Sequence, residues 1–467
     1  MLDLIPFMDE VAIVDLGYQF LSGGTSDSIV ISSNGQSAMF ISYLGPVMQE
    51  IMFRLFGQTG VRFCPFVGLA AIWFLARICL KKFTSLQKPF FEALALYAAL
   101  CPLLFQGTIL TRVDSWAIAC DLAVLALLGT PDRKRSILQI ACAGFLAALA
   151  PFVWATAAIV APLYFLLCFN WKCKKELALF VLSGIVGVFL VSIPHLVHLQ
   201  QLIISMSGYS GEHIQRTFPL ANIISNFICE FLRDPPMLAL SAVGFFFWMR
   251  RRLALAASFV LIVILCAYSG LYTMRFIYLT PYLLFMCATA AEKLCVAHPR
   301  GTVLYLRLMA TYAVLTGPVA YLLLPHDRLP ENLKEELATL IGTGPKWVYS
   351  PDYATYYIGR ELGWNQFAHG NFADDRNPQI INRSLQKADA VILRDWNPYK
   401  TIQESWTPYG ILTRALKHAA EKGKNLKSKP WLSRYGEQFC FPWRTPYEVT
   451  GFHKAKQIDC IQIYLKN

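Results

Sequence analysis

Charge is what this chain has least of: Asp, Glu, Lys and Arg make up 15% of its 467 residues, against about 25% in a soluble protein. With 55% hydrophobic residues and a mean hydropathy of +0.43, that shortage excludes an ordinary soluble globule. Paired metal-binding cysteines are also missing. No CxxC occurs, and most of the thirteen cysteines fall inside apolar runs (Cys101, Cys120, Cys142, Cys266, Cys287), where small inert packing is expected. An internal repeat is absent, which argues against transporters built from duplicated halves. No basic n-region followed by an apolar h-region opens the chain, so no signal peptide is read there.

What the chain does have is apolar blocks near the ~20 residues needed to cross a bilayer. They fall at residues 61–80, 90–108, 112–129, 136–152, 154–170, 176–195, 236–249, 253–271, 276–294 and 303–323. Ahead of them, residues 39–57 (MFISYLGPVMQEIMFRLFG) are apolar but interrupted by Pro46, Glu50 and Arg54, the pattern of a helix lying in the interface. The expected fold class is an α-helical multi-pass membrane protein of about ten spans with a small C-terminal α/β domain. Three units follow: an acidic loop and interfacial helix over 1–60, a transmembrane domain over 61–323, and an α/β domain over 324–467.

A net charge of +12 invites a nucleic-acid reading, but the basic residues cluster between apolar blocks, as topology signals do. Arg77, Lys81, Lys82 and Lys88 follow the first block, Arg133, Lys134 and Arg135 the third, and Lys172, Lys174 and Lys175 the fifth. Arg250, Arg251 and Arg252 follow the seventh, and Lys293, Arg300 and Arg307 flank the loop after the ninth. The opposite side has Arg54, Arg62, Arg112, Arg216, Arg233 and Arg275. The crowded side is expected to be cytoplasmic, which puts the acidic N-terminus, the 196–235 loop and everything after 324 outside. The expected location is the cell (inner) membrane, with the C-terminal domain periplasmic. An outside N-terminus with no preceding span implies a first transmembrane helix upstream of Met1, or else tail translocation driven by the next span.

Beyond residue 324 the composition turns polar. PHDRLPENLKEELATL reads as helix, KWVYSPD (346–352) and ADAVILRD (388–395) as strands, 353–362 and 405–421 as helices, and YEVTGF and CIQIYLKN as closing strands. Cys440 and Cys460 lie in this region. In an oxidising compartment they could close a loop of about 20 residues, worth roughly 3 kcal/mol.

Candidate chemistry concentrates at the outer ends of the blocks. Asp9 and Glu10 stand in MDEVAIVDLGYQFLSGG, with Asp15 close behind. Carboxylates beside a bilayer are costly to desolvate and tend to be kept for chemistry, although a surface Asp-Glu pair by itself is common. LTRVDSW brings Arg112 and Asp114 to a short outer turn, and YTMRFIYLTPYLL brings Arg275 six residues ahead of Pro281. Arg112 could equally pair with Asp114, and Arg275 snorkel to headgroups. His195 and His198 share a helical face, with His213 and Arg216 further on; they are candidate ligands or phosphate contacts, or ordinary interfacial histidines. The 196–235 loop is long enough for a lid.

This ordered set resembles the GT-C glycosyltransferase superfamily, nearest the dolichyl-phosphate-mannose protein mannosyltransferase-like and aminoarabinose transferase-like bacterial enzymes. It comprises an acidic DE loop, a proline-containing interfacial helix, R-x-D at an outer turn, R-[FY]-x-x-x-x-P at a late span and a small α/β domain. The likeness covers about residues 8–323. It departs in the absent first helix and in Val-Ala following the DE pair, which leaves the acceptor class open.

The resemblance implies an inverting transfer of a sugar from a polyprenyl-phosphate carrier to a lipid, glycan or protein acceptor at the outer face. Asp9 is implied as the base, with Glu10 supporting or replacing it, while Arg275 first and Arg112 second would meet the phosphate. Asp114 would orient an arginine or contact the sugar. A divalent metal on Asp9 and Glu10 is a further implication. The expected partners are the carrier-linked sugar, its acceptor and membrane lipids, with no nucleic acid. The alternatives are a transporter or flippase for lipid-linked sugars and a non-catalytic assembly protein. A transporter should carry charges near the midplane, and here Asp121 is the main buried exception.

Overall fold

The computed structural model describes residues 8–22, 42–109, 111–171, 173–197, 231–268, 273–323, 328–350, 354–367, 385–394, 406–412, 449–459 and 461–467, with isolated positions 199, 200, 203, 228 and 415. Helix α1 (Met8–Leu21) precedes α2 (Leu44–Phe83), which breaks at Gly57 (φ 62°, ψ −157°). Glycine alone adopts that backbone without strain. The break separates a 44–56 limb, within the stretch expected as an interfacial helix, from a long apolar limb over 58–83.

Helices then follow as α3 (Lys88–Leu100), α4 (Pro102–Ile109), α5 (Asp114–Leu128), α6 (Ile137–Val153), α7 (Lys174–Val197), α8 (Pro235–Arg251), α9 (Leu253–Tyr268), α10 (Thr280–Ala297) and α11 (Pro299–Val314). Helical structure thus falls on each apolar block. By length and hydropathy, five stretches among the described residues can cross a membrane: Leu44–Phe83, Lys88–Phe105, Lys174–Leu196, Phe276–Ala297 and Pro299–Leu323. Ile137–Val153, Ala155–Cys168 and Leu253–Leu265 are shorter apolar helices. The chain is a helical membrane protein.

Two expected single spans are interrupted. Residues 90–108 divide at Cys101, where Pro102 restarts the chain as α4, because proline supplies no N–H to the preceding turn. Residues 154–170 form a 3₁₀ turn (Ala155–Val160), a short α turn (Ala161–Leu163) carrying Pro162, and a π turn (Tyr164–Cys168). Buried side chains from α2 through α11 make one continuous core, with Ile72, Leu94, Leu125, Tyr282 and Trp248 among its members. By contrast α7 keeps Ile185 and Phe189 60% and 68% exposed, as a face turned toward lipid would.

The C-terminal part carries a five-stranded sheet of order β2-β1-β3-β5-β4. Its strands are β1 (Trp347–Tyr349), β2 (Asn365–Phe367), β3 (Ala390–Arg394), β4 (Phe452–Ile458) and β5 (Ile461–Lys466). β1 runs parallel to β2 and β3, and β5 antiparallel to β3 and β4. Helix α12 (Leu333–Leu340) precedes β1, and α13 (Tyr356–Leu362) is the crossover from β1 to β2. Period-two burial divides β3 between two cores: Ile392 packs with Leu337 and Ile463, and Val391 and Leu393 with Tyr349.

Some expectations shift. Of YEVTGF, Thr450 and Gly451 form a turn with Gly451 at φ 87°, pairing of the fourth strand begins at Phe452, and residues 447–448 lie outside the described set. β2 had no sequence signal, being three residues bordered by Gly363 and Trp364. The 405–421 helix is present at 408–412, and residues 416–421 lie outside the described set. Cys440 and Cys460 lie outside it too.

Candidate active site

The acidic start of the chain is helical, not a loop. Asp9 and Glu10 occupy the first turn of α1. This helix is seated closely on α2: a Cβ at Gly17 would stand 2.1 Å from the Pro46 carbonyl oxygen, so only glycine permits this approach. The Asp9 side chain lies outside the described residues. Glu10 is buried, and Arg62 Nε donates to its Oε1 at 3.2 Å. A carboxylate matched to an arginine in this way suits a fixed negative charge better than a free base or a metal ligand. Among the described residues no group of three His, Cys, Asp or Glu side chains gathers as a metal site.

Arg112 and Asp114 sit together in a tight turn. Arg112 Nε donates to Asp114 Oδ2 at 2.6 Å and its Nη2 to Oδ1 at 3.4 Å, while the guanidinium lies 5.4 Å from the Trp154 ring centre. The turn is strained at Thr111, a buried β-branched residue at φ 60°, a combination that clusters at functional sites. Gln49 of α2 donates to the Thr111 carbonyl at 3.1 Å. Asp114 also accepts from the Tyr278 hydroxyl at 2.5 Å. Tyr278 belongs to a 3₁₀ turn, Thr273–Leu279, that leads into α10. Arg275 stands in that same turn, three residues earlier, with its side chain outside the described residues.

These pieces converge through one stretch of α2. One turn beyond Arg62, the carbonyls of Cys64 and Pro65 accept from Trp116 Nε1 at 3.0 Å and Ser115 Oγ at 2.9 Å. Pro65 leaves a helical hydrogen bond unmade, and Ser115 follows directly on Asp114. The backbone path from α1 through Arg62 and Pro65 to Asp114 and the Arg275 turn is therefore short. Three sequence candidates far apart in the chain are brought to one end of the bundle.

His195 is buried among rings, with centroids 4.8 Å from Tyr43, 5.6 Å from Phe20 and 6.1 Å from Phe152. His198, His213 and Arg216 lie outside the described residues, as does most of the 196–235 loop.

One cluster was not assembled from the sequence, although Glu50, Arg54 and Asp15 stood out there singly. Glu50, 0% exposed, accepts from Arg54 Nε at 2.8 Å and from both terminal nitrogens of Arg360, at 2.9 and 3.3 Å. Arg360 comes from α13, more than three hundred residues away, and lies over Tyr18, Phe53 and Tyr356 at 4.1, 5.0 and 5.8 Å. It also donates to the Tyr356 hydroxyl at 2.9 Å, which in turn donates to Asp15 Oδ1 at 3.2 Å. Tyr357 packs on Val11, Val14 and Val61. Burial, and then the nearby charges of Asp15 and Glu10 respectively, push the Tyr356 and Tyr357 phenols well above their ordinary pKa. Burial opposes the charge on Arg360, but the Tyr356 oxygen and Glu50 outweigh it and raise its pKa. The crossover helix of the C-terminal sheet is thus fastened to α1 through Asp15 and to the first limb of α2 through Glu50. The available signal was a glutamate and an arginine one helical turn apart in an otherwise apolar helix.

Bundle and sheet together have an architecture that solved structures share. The crystal structure of ArnT from Cupriavidus metallidurans bound to undecaprenyl phosphate superposes with a TM-score of 0.58, covering 99% of this chain and 94% of that one at 11% identity. ArnT from the same organism in the apo state gives 0.56 over 84% and 90%, at 13% identity. The arabinofuranosyltransferase AftD from Mycobacteria gives 0.53 at 12% identity, covering 99% of this chain and 38% of AftD. At such identities the likeness shows the fold. No family model matches the chain, and no curated protein matches it in sequence.

Proposed function

We propose that this protein is an inverting glycosyltransferase that takes a sugar from a polyprenyl-phosphate carrier and passes it to a lipid, glycan or protein acceptor on the outer face of the membrane. The observation that carries the reading is the convergence of the α1 start, the Arg112–Asp114 turn and the Arg275 turn. It occurs in a fold shared with a protein crystallised with undecaprenyl phosphate.

The chemistry suits these residues. A phosphate leaving group needs no strong acid, so one carboxylate that deprotonates the acceptor hydroxyl is enough for in-line attack at the anomeric carbon. Asp9 takes that role, because Glu10 is engaged by Arg62. Charge growing on the departing phosphate calls for preorganised cations. Arg275 and Arg112 supply them, and the planar guanidinium matches phosphate geometry. Asp114, locked by the Tyr278 hydroxyl, holds Arg112 in one orientation. The Asp9-bearing helix and the C-terminal sheet occupy the extracytoplasmic side, as the distribution of basic residues supports.

Asp9→Asn keeps size and polarity but removes the proton acceptor, so transfer should fall by about 10²–10⁴-fold with carrier binding kept. Arg275→Ala should weaken carrier binding and turnover together, and Arg275→Lys should rescue in part. Full activity in Asp9→Asn, with membrane insertion equal to wild type, would move the base elsewhere.

A further inference from the structure

Between α6, α7 and the broken 155–168 segment lies a cavity of about 630 Å³, within the ~300–1,000 Å³ typical of small-molecule sites. Small residues open it, including Gly144, Ala148 and Ala161, and apolar ones such as Phe180 and Ile185 complete its wall. Apart from Ser192, its polar side chains are Asp121 and Tyr164. Asp121 stands seven residues along α5 from Asp114, roughly 10 Å deeper at 1.5 Å per residue. It is 1% exposed. The Tyr164 hydroxyl donates to Oδ1, while Oδ2 is buried with no hydrogen-bond partner among the described residues.

Two independent features point to a ligand. The first is this carboxyl oxygen: an ionisable group inside a membrane protein is costly and is retained for a partner. The second is the backbone. The segment that carries Tyr164 passes from 3₁₀ to α to π within fourteen residues. Irregular backbone at membrane depth is tolerated where it lines a cavity, and π turns recur at functional sites.

We propose that this cavity binds an amphiphile with a long alkyl or isoprenoid body and an amine or hydroxyl end group that donates a hydrogen bond to Asp121 Oδ2. The apolar walls match the body, and the acceptor oxygen selects the end. An ionised phosphate or carboxylate end has no N–H or O–H to donate to Oδ2 and would have to be desolvated among apolar walls. The site is therefore separate from the Arg112 and Arg275 region and does not depend on the proposed transfer reaction.

Photolabelling of the purified protein in nanodiscs tests this, with a diazirine-bearing long-chain alkylamine as probe. The unlabelled amine, the alcohol, the fatty acid and the alkane of equal length serve as competitors. The amine and the alcohol should compete about tenfold better than the acid or the alkane, the discrimination expected of one buried hydrogen bond. The adduct should map to the cavity lining, at Asp121 or within residues 144–192. Asp121→Asn should abolish that preference while leaving the fold intact, since Asn still accepts from Tyr164. Tyr164→Phe should keep the preference, since Oδ2 is untouched. Equal competition by all four chains, a preference unchanged in Asp121→Asn, or an adduct away from that lining would each overturn the proposal and leave a furrow filled by bulk lipid.

Discussion

Replacing Arg360 by alanine asks whether the C-terminal sheet is fastened to the bundle by one buried ion pair. Arg360 holds the fully buried Glu50 with both terminal nitrogens and lies over three rings. Removing one partner of a buried pair costs about 3–5 kcal/mol, because the other charge is left unmatched. Here Arg54 stays on Oε1 at 2.8 Å and still matches part of the charge, so the loss should fall at or just below that range, about 2–3 kcal/mol. Arg360→Lys should recover only part of it, since an ammonium cannot make the fork. The internal control is Lys334–Glu361, a pair 49% and 50% exposed in the same part of the chain, where Lys334→Ala should cost no more than about 1 kcal/mol. Pulse proteolysis of the detergent-solubilised protein across a denaturant series reads both, and a cycle with Glu50→Gln isolates the coupling. The reasoning fails if Arg360→Ala loses no more stability than Lys334→Ala, or if the cycle shows no coupling.

Gly17→Ala should destabilise the seat of α1 by about 1–3 kcal/mol, because the added Cβ would meet the Pro46 carbonyl oxygen at 2.1 Å; a thermal unfolding midpoint equal to wild type would show that α1 packs otherwise. The raised phenols of Tyr356 and Tyr357 give stability a definite dependence on pH. The folded state keeps protons that the unfolded chain releases near pH ~10. Their contribution is therefore whole below that pH and is lost as pH rises above it. Tyr356→Phe should flatten the alkaline limb of stability against pH by one proton, whatever it does to stability at neutral pH, and an unchanged slope would refute the burial of that phenol.

Much of the helical part was legible because membrane spans announce themselves by length and hydropathy, and Arg112–Asp114 because both residues lie in one short turn. The 154–170 block looked like a single span, since Pro162 alone does not reveal a passage through 3₁₀ and π geometry. The spacing of His195 and His198 gives a helical face but not what packs on it; Phe20, Tyr43 and Phe152, which surround His195, come from three distant segments. The same holds for Glu50. Its neighbour Arg54 was visible at one helical turn, whereas Arg360 reaches it only after the crossover helix of the sheet folds back on α1. Glu10 and Asp9 are adjacent in sequence, and the partner of Glu10, Arg62, comes from another helix and had no local signal. Tyr278 had no local signal either, although it joins the Arg275 turn to Asp114.

The most direct test of the central claim is a profile of polyprenyl-phosphate-linked sugars in cells that lack the protein, complemented with wild type or with Asp9→Asn expressed to the same level. One carrier-linked sugar should accumulate in the deletion, fall to its normal level with wild type and stay high with Asp9→Asn. If no carrier-linked sugar accumulates, or if Asp9→Asn clears it as fully as wild type, the assignment of carrier-dependent transfer to this site is contradicted.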